Sequence, residues 1–153
     1  MKSAPILLVE DDPNDVIFMQ YAWETTGMSN PLHVVNDGQG AVDYLGGTGK
    51  FTKRSVHPLP EIVLLDLNLP GLHGFEVLKW LREQKELLGV VVIVLTSSSA
   101  DSDASRAYSL GANSYVIKPS NPEKLRDFVS MLKGYWGDWN YLPPVGTERF
   151  QIR

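Results

Sequence analysis

Short runs of apolar residues recur along the chain and predict buried β-strands. Residues 6–9, 62–65 and 90–95 contain only Ile, Leu and Val. A strand covered on both faces has such a continuous run, whereas a strand with one face in water alternates. Residues 115–117 form a shorter run, and residues 32–35 have the mixed pattern of an outer strand. The pattern therefore predicts five strands, most of them covered on both faces.

Segments with helical spacing of apolar residues separate these strands. The first helix is predicted to begin at Asp12-Pro13 and to end at Gly27. The residues predicted on its buried face are Val16, Met19, Gln20 and Trp23. The last helix has the clearest spacing, through Leu125, Phe128, Val129, Leu132 and Trp136. Strands that alternate with helices predict an α/β domain with a doubly wound parallel sheet and helices on both faces.

Length and composition restrict the classes of protein that fit. The chain has 153 residues, which suits one domain better than two, and no cysteine for disulfides or thiolate metal sites. Its net charge of −4 argues against nucleic-acid binding as the main activity. It contains no apolar run long enough to span a membrane and no signal-peptide core. We expect a cytoplasmic protein without membrane or nucleic-acid partners.

Polar residues follow the predicted strands where the carboxyl ends of a parallel sheet meet. Asp11 and Asp12 follow the first strand together with Glu10, and Asp66 follows the third. Grouped carboxylates repel one another unless a cation joins them, and oxygen ligands favour Mg²⁺. After the fourth and fifth strands come Thr96 and Lys118, which can bind anionic oxygens. This set suits a phosphoryl group held on a carboxylate, with Asp66 as the nucleophile.

Each of these residues also has an ordinary structural explanation. Asp12 before Pro13 can simply cap a helix, and Thr96 can cap the next one. Residues 66–71 contain Asp, Asn, Pro and Gly, which are common in turns. The functional interpretation rests on the combination. The acidic pair after the first strand, Asp66, Thr96 and Lys118 all fall at strand ends of one predicted sheet.

Four motifs of the chain resemble the response-regulator receiver domain. They are Val9-Glu10-Asp11-Asp12, the segment from Leu65 to Gly74, Leu95-Thr96-Ser97 and Tyr115-Val116-Ile117-Lys118-Pro119. The resemblance covers about residues 4–136. It implies a flavodoxin-like (βα)5 fold with a five-stranded sheet, and a phosphoryl group accepted from a histidine kinase.

The resemblance also implies roles for individual residues. Asp66 would be the phosphoacceptor, and Thr96 and Lys118 would contact the phosphoryl oxygens. The implied ligands of Mg²⁺ are Asp11, Asp12, Asp66 and the backbone carbonyl of Asn68. Tyr115 resembles the aromatic switch that moves inward when Thr96 is drawn to the phosphate, and the Lys118–Pro119 peptide bond would be cis.

Two features that are less specific than the site motifs favour one subfamily. The long connection at residues 46–60 and the aromatic tail at 135–144 resemble the single-domain regulators of bacterial phytochrome-type histidine kinases. We therefore expect a receiver domain at residues 1–136 and an aromatic C-terminal extension at 137–153. In that group the last helix and tail contribute to a homodimer. We expect a homodimer here through the fourth helix, fifth strand, fifth helix and C-terminal extension. The large apolar residues of the tail can alternatively fold back as core: Tyr135, Trp136, Trp139, Tyr141 and Leu142.

Two other functions fit parts of the pattern. A Mg²⁺-dependent phosphatase with an aspartyl nucleophile uses a similar strand end, but it usually needs a second Asp where this chain has Asn68. A pseudo-receiver that acts as an interaction module without phosphorylation is the third possibility. The leading hypothesis is a phosphoacceptor signalling protein that catalyses only its own phosphorylation and dephosphorylation.

Overall fold

The computed structural model describes residues 4–143, which form one parallel sheet with helices on both faces. The strands are β1 (Ile6–Val9), β2 (Leu32–Val35), β3 (Ile62–Leu65), β4 (Val91–Thr96) and β5 (Ser114–Ile117). Their order in the sheet is β2-β1-β3-β4-β5. This arrangement is the predicted flavodoxin-like receiver fold.

Five α-helices follow the strands in alternation. They are α1 (Pro13–Thr25), α2 (Gly38–Gly46), α3 (Gly74–Glu83), α4 (Asp101–Ser109) and α5 (Pro122–Leu132). Short 3-10 turns lie at Gly49–Phe51 and Lys85–Leu87, and a π-helical segment follows α5 at Lys133–Trp139. Within residues 4–143, no helix combines the length and the apolar character needed to cross a bilayer.

The continuous apolar runs are explained by two separate core layers. Leu7 and Val9 of β1 face the layer beneath α2 and α3, whereas Ile6 and Leu8 face the layer beneath α1 and α5. Successive side chains of a strand point to opposite faces, so both sets of positions must be apolar when both faces are covered.

The strand register brings the carboxyl ends of β1, β3, β4 and β5 to one edge. Val9 pairs with Leu65, and Thr96 pairs with Ile117. The chain order reverses between β1 and β3, and ligands bind open α/β sheets at such a switch point. The polar residues that follow these strands are therefore neighbours.

Gly74 allows α3 to begin directly against the end of β3. A side-chain carbon at Gly74 would collide with the backbone oxygen of Asp66 and would lie 2.6 Å from Cα of Leu67. The Gly74 N–H donates a hydrogen bond of 2.9 Å to the Leu67 carbonyl. Only glycine fits this contact, which fixes the backbone that carries Asp66.

The structure changes several local predictions. Gln20 is exposed, and Ala22 lies on the buried face of α1 with Met19 and Trp23. The predicted cis bond at Lys118–Pro119 is wrong, since no peptide bond among residues 4–143 is cis. The trans form is the lower in free energy for an X–Pro bond unless its surroundings select cis.

The connection before β3 is held against the sheet by Tyr44 and Arg54. The Tyr44 hydroxyl donates 2.9 Å to the Pro58 carbonyl and contacts His33 Nδ1 at 2.7 Å. The Arg54 guanidinium donates to the carbonyls of Tyr44 and Leu45 at 2.7 and 2.8 Å. This part of the chain is a packed loop with its own aromatic contacts rather than a loose linker.

The large apolar residues of the tail are divided between core and surface. Trp136 and Leu142 pack against the layer beneath α1 and α5. The exposed fraction is 52% for Tyr135 and 84% for both Trp139 and Tyr141. Both uses predicted for the tail therefore have residues available, and the part of the extension after residue 143 lies outside the described residues.

Candidate functional site

Asp66 lies at the carboxyl end of β3, and only 5% of its surface is exposed. Its backbone N–H donates 3.2 Å to the Val9 carbonyl, which aligns it with the end of β1. Its Oδ1 accepts a 3.3 Å hydrogen bond from the backbone N–H of Asn68, and its Oδ2 lies 3.0 Å from Lys118 Nζ. Asn68 itself is exposed at the next turn.

Lys118 follows β5 and brings one ammonium group to several carboxylates. The Lys118 Nζ lies 2.6 Å from Glu10 Oε1, 3.0 Å from Asp15 Oδ2 and 3.0 Å from Asp66 Oδ2. Its backbone N–H donates 2.7 Å to the Thr96 carbonyl, which continues the pairing of β4 and β5. The side chain crosses the sheet edge from β5 to the end of β1.

Burial and charge act in opposite directions on these groups. Burial raises the pKa of Glu10 to about 7, although the hydrogen bond from Lys118 acts to lower it. Burial alone would lower the pKa of Lys118, but hydrogen bonds to Glu10, Asp15 and Asp66 outweigh it and raise the pKa above its ordinary value. Lys118 is therefore a fixed positive charge at neutral pH.

Three carboxyl groups lie close enough together to bind one cation. Ligand oxygens of Glu10, Asp11 and Asp66 lie within 4.8 Å of one another. An all-oxygen, carboxylate-rich group of this size suits a hard divalent ion such as Mg²⁺. Glu10 and Asp66 are buried and Asp11 is exposed, so the group opens to solvent on one side.

Asp12 lies outside this group and serves α1 instead. Its Oδ1 accepts a 2.9 Å hydrogen bond from the backbone N–H of Asn14, as expected of an N-cap. Its own backbone N–H donates 3.2 Å to Glu10 Oε2. Asp12 is therefore observed as a helix cap. Glu10, rather than the expected Asp12, lies with Asp11 and Asp66 in the carboxylate group.

Sequence reasoning missed Glu10 and Asp15 as members of the site. A signal for Glu10 was present: Val9 and Leu65 are the last residues of neighbouring strands, so Glu10 and Asp66 follow them in equivalent positions. Asp15 had no comparable signal, because it reaches Lys118 from the first turn of a helix rather than from a strand end.

Thr96 lies at the end of β4, and Tyr115 lies on the neighbouring strand β5. Thr96 is fully buried at the end of β4, and its hydroxyl accepts a 3.5 Å hydrogen bond from the backbone N–H of Ser98. Tyr115 is half-buried on β5, and its hydroxyl donates 2.9 Å to the Ser98 carbonyl. Both side chains therefore contact the loop between β4 and α4.

Comparison with known proteins identifies the class. A model of the response regulator receiver domain matches residues 6–130. The chain therefore belongs to the response regulator receiver domain family, whose members are signalling phosphoacceptors. Together with the acidic group at the switch point, this makes it a receiver-domain response regulator.

Particular relatives refine this assignment. The chain is 40% identical to the probable methanogenesis regulatory protein FilR2 of Methanothrix harundinacea, over 90% of this chain and 86% of that protein. It is 33% identical to the response regulator Rcp1 of Synechocystis, over 90% of this chain and 92% of that protein.

Solved structures show the same relationship. The phosphorylated cyanobacterial phytochrome response regulator RcpA superposes with a TM-score of 0.85 at 31% identity, covering 93% of this chain and 99% of that chain. The Mn²⁺-bound form of Rcp1 superposes with a TM-score of 0.82 at 33% identity, covering 92% and 99%. The chain is thus related to the phytochrome response regulators.

Proposed function

We propose that the chain accepts one phosphoryl group on Asp66 from a histidine kinase. The observation that carries the proposal is the position of Lys118 Nζ. This atom lies 3.0 Å from Asp66 Oδ2, and Asp66 is one of the three carboxyls grouped at the site. A buried carboxylate that is open to solvent on one side can attack phosphorus. The adjacent ammonium group can hold a phosphoryl oxygen at the same time. The structure of the similar protein RcpA is that of a phosphorylated response regulator, which supports the same chemistry.

The donor set fits a divalent ion, with Mg²⁺ as the natural occupant. Glu10, Asp11 and Asp66 would hold it, with the backbone carbonyl of Asn68 as a further ligand. Bound there, the ion would neutralise the charge of the incoming phosphoryl group. The Mn²⁺-bound form of Rcp1 supports the binding of a divalent ion by this chain. Asp12 is replaced by Glu10 in this proposal because its side chain caps α1.

Lys118 and Thr96 would bind the phosphoryl oxygens. The position of Tyr115 would change when Thr96 moves. Thr96 and Tyr115 are both hydrogen-bonded to Ser98, so displacement of Thr96 toward a phosphoryl group would disturb the Tyr115 contact. Phosphorylation would then favour the conformer in which α4 and β5 present a changed surface. Partner binding or dimerisation would follow that surface.

The proposed donor is a histidine kinase of the phytochrome type. The similar protein RcpA is a cyanobacterial phytochrome response regulator, which supports this partner. Such a kinase draws its phosphoryl group from ATP, so the proposal places this chain in the cytoplasm.

A homodimer is part of the proposal. Large apolar groups are exposed on α4 and β5, where Tyr108 and Ile117 are 52% and 53% exposed, and on the extension. We retain the division into a receiver at 1–136 and an extension at 137–153. The π-helical segment Lys133–Trp139 runs through that boundary, so the extension begins within a helix.

Incubation with acetyl phosphate and Mg²⁺, followed by intact-protein mass spectrometry, tests the proposal. We expect one phosphoryl group on the wild-type protein and none on Asp66→Asn. Asp12→Asn should be labelled to the same extent as the wild-type protein. Labelling of Asp66→Asn at the wild-type level would refute Asp66 as the acceptor. Release of phosphate from phosphomonoesters at a steady rate would favour the phosphatase alternative instead.

A further inference from the structure

Ser98 lies in the loop between β4 and α4 and is hydrogen-bonded to both of these elements and to β5. Its backbone N–H donates 3.5 Å to the Thr96 hydroxyl, and its carbonyl accepts 2.9 Å from the Tyr115 hydroxyl. Its own hydroxyl donates 2.6 Å to Oδ2 of Asp103, in the first turn of α4. A displacement of Ser98 must therefore be accommodated by all three elements.

The hydrogen bond to Asp103 holds the amino end of α4 against this loop. The N-cap of α4 is Ala100, which has no side-chain acceptor and makes no capping hydrogen bond. The Ala100 N–H donates instead to the Ser98 hydroxyl, at 3.3 Å. A hydrogen bond from a hydroxyl to a carboxylate is stronger than one between neutral groups. The bond between Ser98 and Asp103 is therefore the stronger of the two that join the loop to the helix.

The carboxyl end of α4 is fixed by a different set of contacts. The Arg82 guanidinium, at the end of α3, donates 2.9 Å to the Gly111 carbonyl and 2.8 Å to the Val90 carbonyl. It also donates 2.8 Å to the side-chain oxygen of Asn113. Between its two ends, α4 buries one residue, Ala107. A displacement imposed at the amino end would therefore turn the helix about its carboxyl end.

We infer that Asp103 is a positioning residue that transmits movement of the loop between β4 and α4 to α4 when Asp66 is phosphorylated. This inference rests on the proposed function, since it needs a phosphoryl group that draws Thr96 toward it. The movement of Thr96 would displace Ser98. The Ser98 hydroxyl would then carry the first turn of α4 with it through Asp103.

Asp101 offers an internal comparison, because it is a second carboxylate in the first turn of α4. Both acids lie near the positive end of the helix dipole, where a negative charge stabilises a helix. Asp101 is exposed and, within residues 4–143, its side chain has no hydrogen bond to the loop. Replacement of either acid removes the same charge from α4, whereas only replacement of Asp103 removes the bond to Ser98.

The experiment records backbone amide chemical shifts of the full chain with Mg²⁺, before and after saturation with beryllofluoride. In the wild-type protein, the amides of residues 106–109 in α4 should shift. Asp103→Ala should reduce this shift about fivefold, the factor in an equilibrium constant that one hydrogen bond commonly represents. Asp103→Asn keeps a neutral acceptor and should reduce the shift less. Asp101→Ala is the matched control and should leave the shift unchanged.

A second variant tests the route through the Ser98 hydroxyl. Ser98→Ala should reduce the shift of residues 106–109 as much as Asp103→Ala does. The double variant should add nothing, because either substitution alone removes the same hydrogen bond. A larger loss in the double variant would mean that Asp103 acts by another route, and it would overturn the inference.

Labelling of Asp66 by acetyl phosphate separates this inference from the function beneath it. Each variant should still take one phosphoryl group on Asp66, because Asp103 contacts the loop rather than the phosphoacceptor. A smaller response of α4 with normal labelling, not reproduced by Asp101→Ala, supports the inference.

Three results would overturn the inference and leave phosphorylation of Asp66 intact. They are a response of α4 in Asp103→Ala equal to that of the wild-type protein, an equal loss in Asp101→Ala, and a labelled wild-type protein whose α4 does not respond. An α4 of Asp103→Ala that is already shifted without beryllofluoride would show a lock rather than a link, and it would also contradict the inference. If the wild-type protein is not labelled at Asp66, the proposed function fails and the inference fails with it.

Discussion

At the scale of single residues, charge balance is the central feature of the site. One ammonium group, that of Lys118, contacts Glu10, Asp15 and Asp66, while Asp11 lies beside them. A buried carboxylate without a compensating cation is costly, so this ammonium stabilises the site when no metal is bound. A metal would compete with Lys118 for the carboxylates of Glu10 and Asp66.

The revised ligand set predicts different effects for adjacent acidic residues. Glu10→Gln should weaken Mg²⁺ binding at least about tenfold, because it replaces a carboxylate oxygen by a neutral amide. Asp12→Asn should leave Mg²⁺ affinity within about twofold, since Asn also caps helices well and α1 is kept. Isothermal titration calorimetry at pH 8 measures both. The opposite ranking would return Asp12 to the site and remove Glu10 from it.

Tyr44 predicts how stability depends on alkaline pH. Burial raises its pKa from the ordinary value of 10 to about 12, so the folded state favours the neutral hydroxyl. The free energy of unfolding should therefore be unaffected by this group below pH 10. It should fall by about 2 kcal/mol as the pH rises from 10 to 12, because the unfolded chain loses the proton first.

Tyr44→Phe should remove that alkaline loss. At neutral pH it should cost about 1 kcal/mol, because the hydrogen bond to the Pro58 carbonyl disappears. Urea unfolding at several pH values measures the difference between the two proteins, with Tyr108→Phe as an exposed control. A difference that stays constant up to pH 12 would contradict the burial effect on Tyr44.

Which acidic residues act together was only partly predictable. The carboxylate of Asp66, the ammonium of Lys118 and the hydroxyl of Thr96 follow strand ends, and strand ends can be located from apolar runs. Glu10 and Asp12 both follow β1, and the choice between them depends on where the strand ends and which side chain turns inward. Asp15 depends on the orientation of α1, which the sequence does not specify.

At the scale of elements, the junction of β3 and α3 supports the acceptor. Gly74→Ala should destabilise the fold by about 1–3 kcal/mol, because the added methyl group must displace the backbone of Asp66 and Leu67. It should also slow phosphorylation by acetyl phosphate. Thermal unfolding and the labelling rate measure the two effects.

Gly134 provides the matched control for that substitution. It lies in the π-helical segment, and a side-chain carbon there would meet no atom within 4 Å. Gly134→Ala should leave stability equal or slightly higher, because alanine reduces the entropy of the unfolded chain. Equal losses in the two variants would mean that the close contact at Gly74 has no particular importance.

The strands were more predictable than the helices. β1, β2 and β3 have the bounds of their apolar runs, because burial on both faces leaves a continuous signal. Helix ends depend on local capping and packing: α3 ends at Glu83, and a 3-10 turn follows. The apolar spacing through Trp136 predicts that the last helix continues beyond Leu132, but it does not indicate that this continuation is π-helical.

At the scale of the whole molecule, exposed aromatic residues lie on the extension. Trp139 and Tyr141 are each 84% exposed, so their removal leaves the core of the protomer unchanged. If the extension forms part of a homodimer, Trp139→Ala with Tyr141→Ala should weaken self-association at least about tenfold, as interface aromatics commonly do. Sedimentation velocity across a concentration series measures the dissociation constant.

The control for the dimer is an exposed aromatic residue elsewhere. Tyr21 on α1 is 58% exposed, and Tyr21→Ala should leave self-association unchanged. An unchanged dissociation constant in the double variant would exclude these two side chains from the interface. This design is sharper than removal of residues 137–153, because Leu142 packs against the core and its loss would also destabilise the protomer.

The central claim is that Asp66, Lys118 and the neighbouring carboxylates form one site for a phosphoryl group and a divalent ion. A crystal structure with beryllofluoride, a stable mimic of the phosphoryl group, and Mg²⁺ tests it most directly. We predict beryllium bonded to an Asp66 oxygen, Lys118 Nζ on a fluorine, and the ion on Glu10, Asp11 and Asp66. A bare Asp66 side chain with Lys118 still on Glu10 would contradict the account.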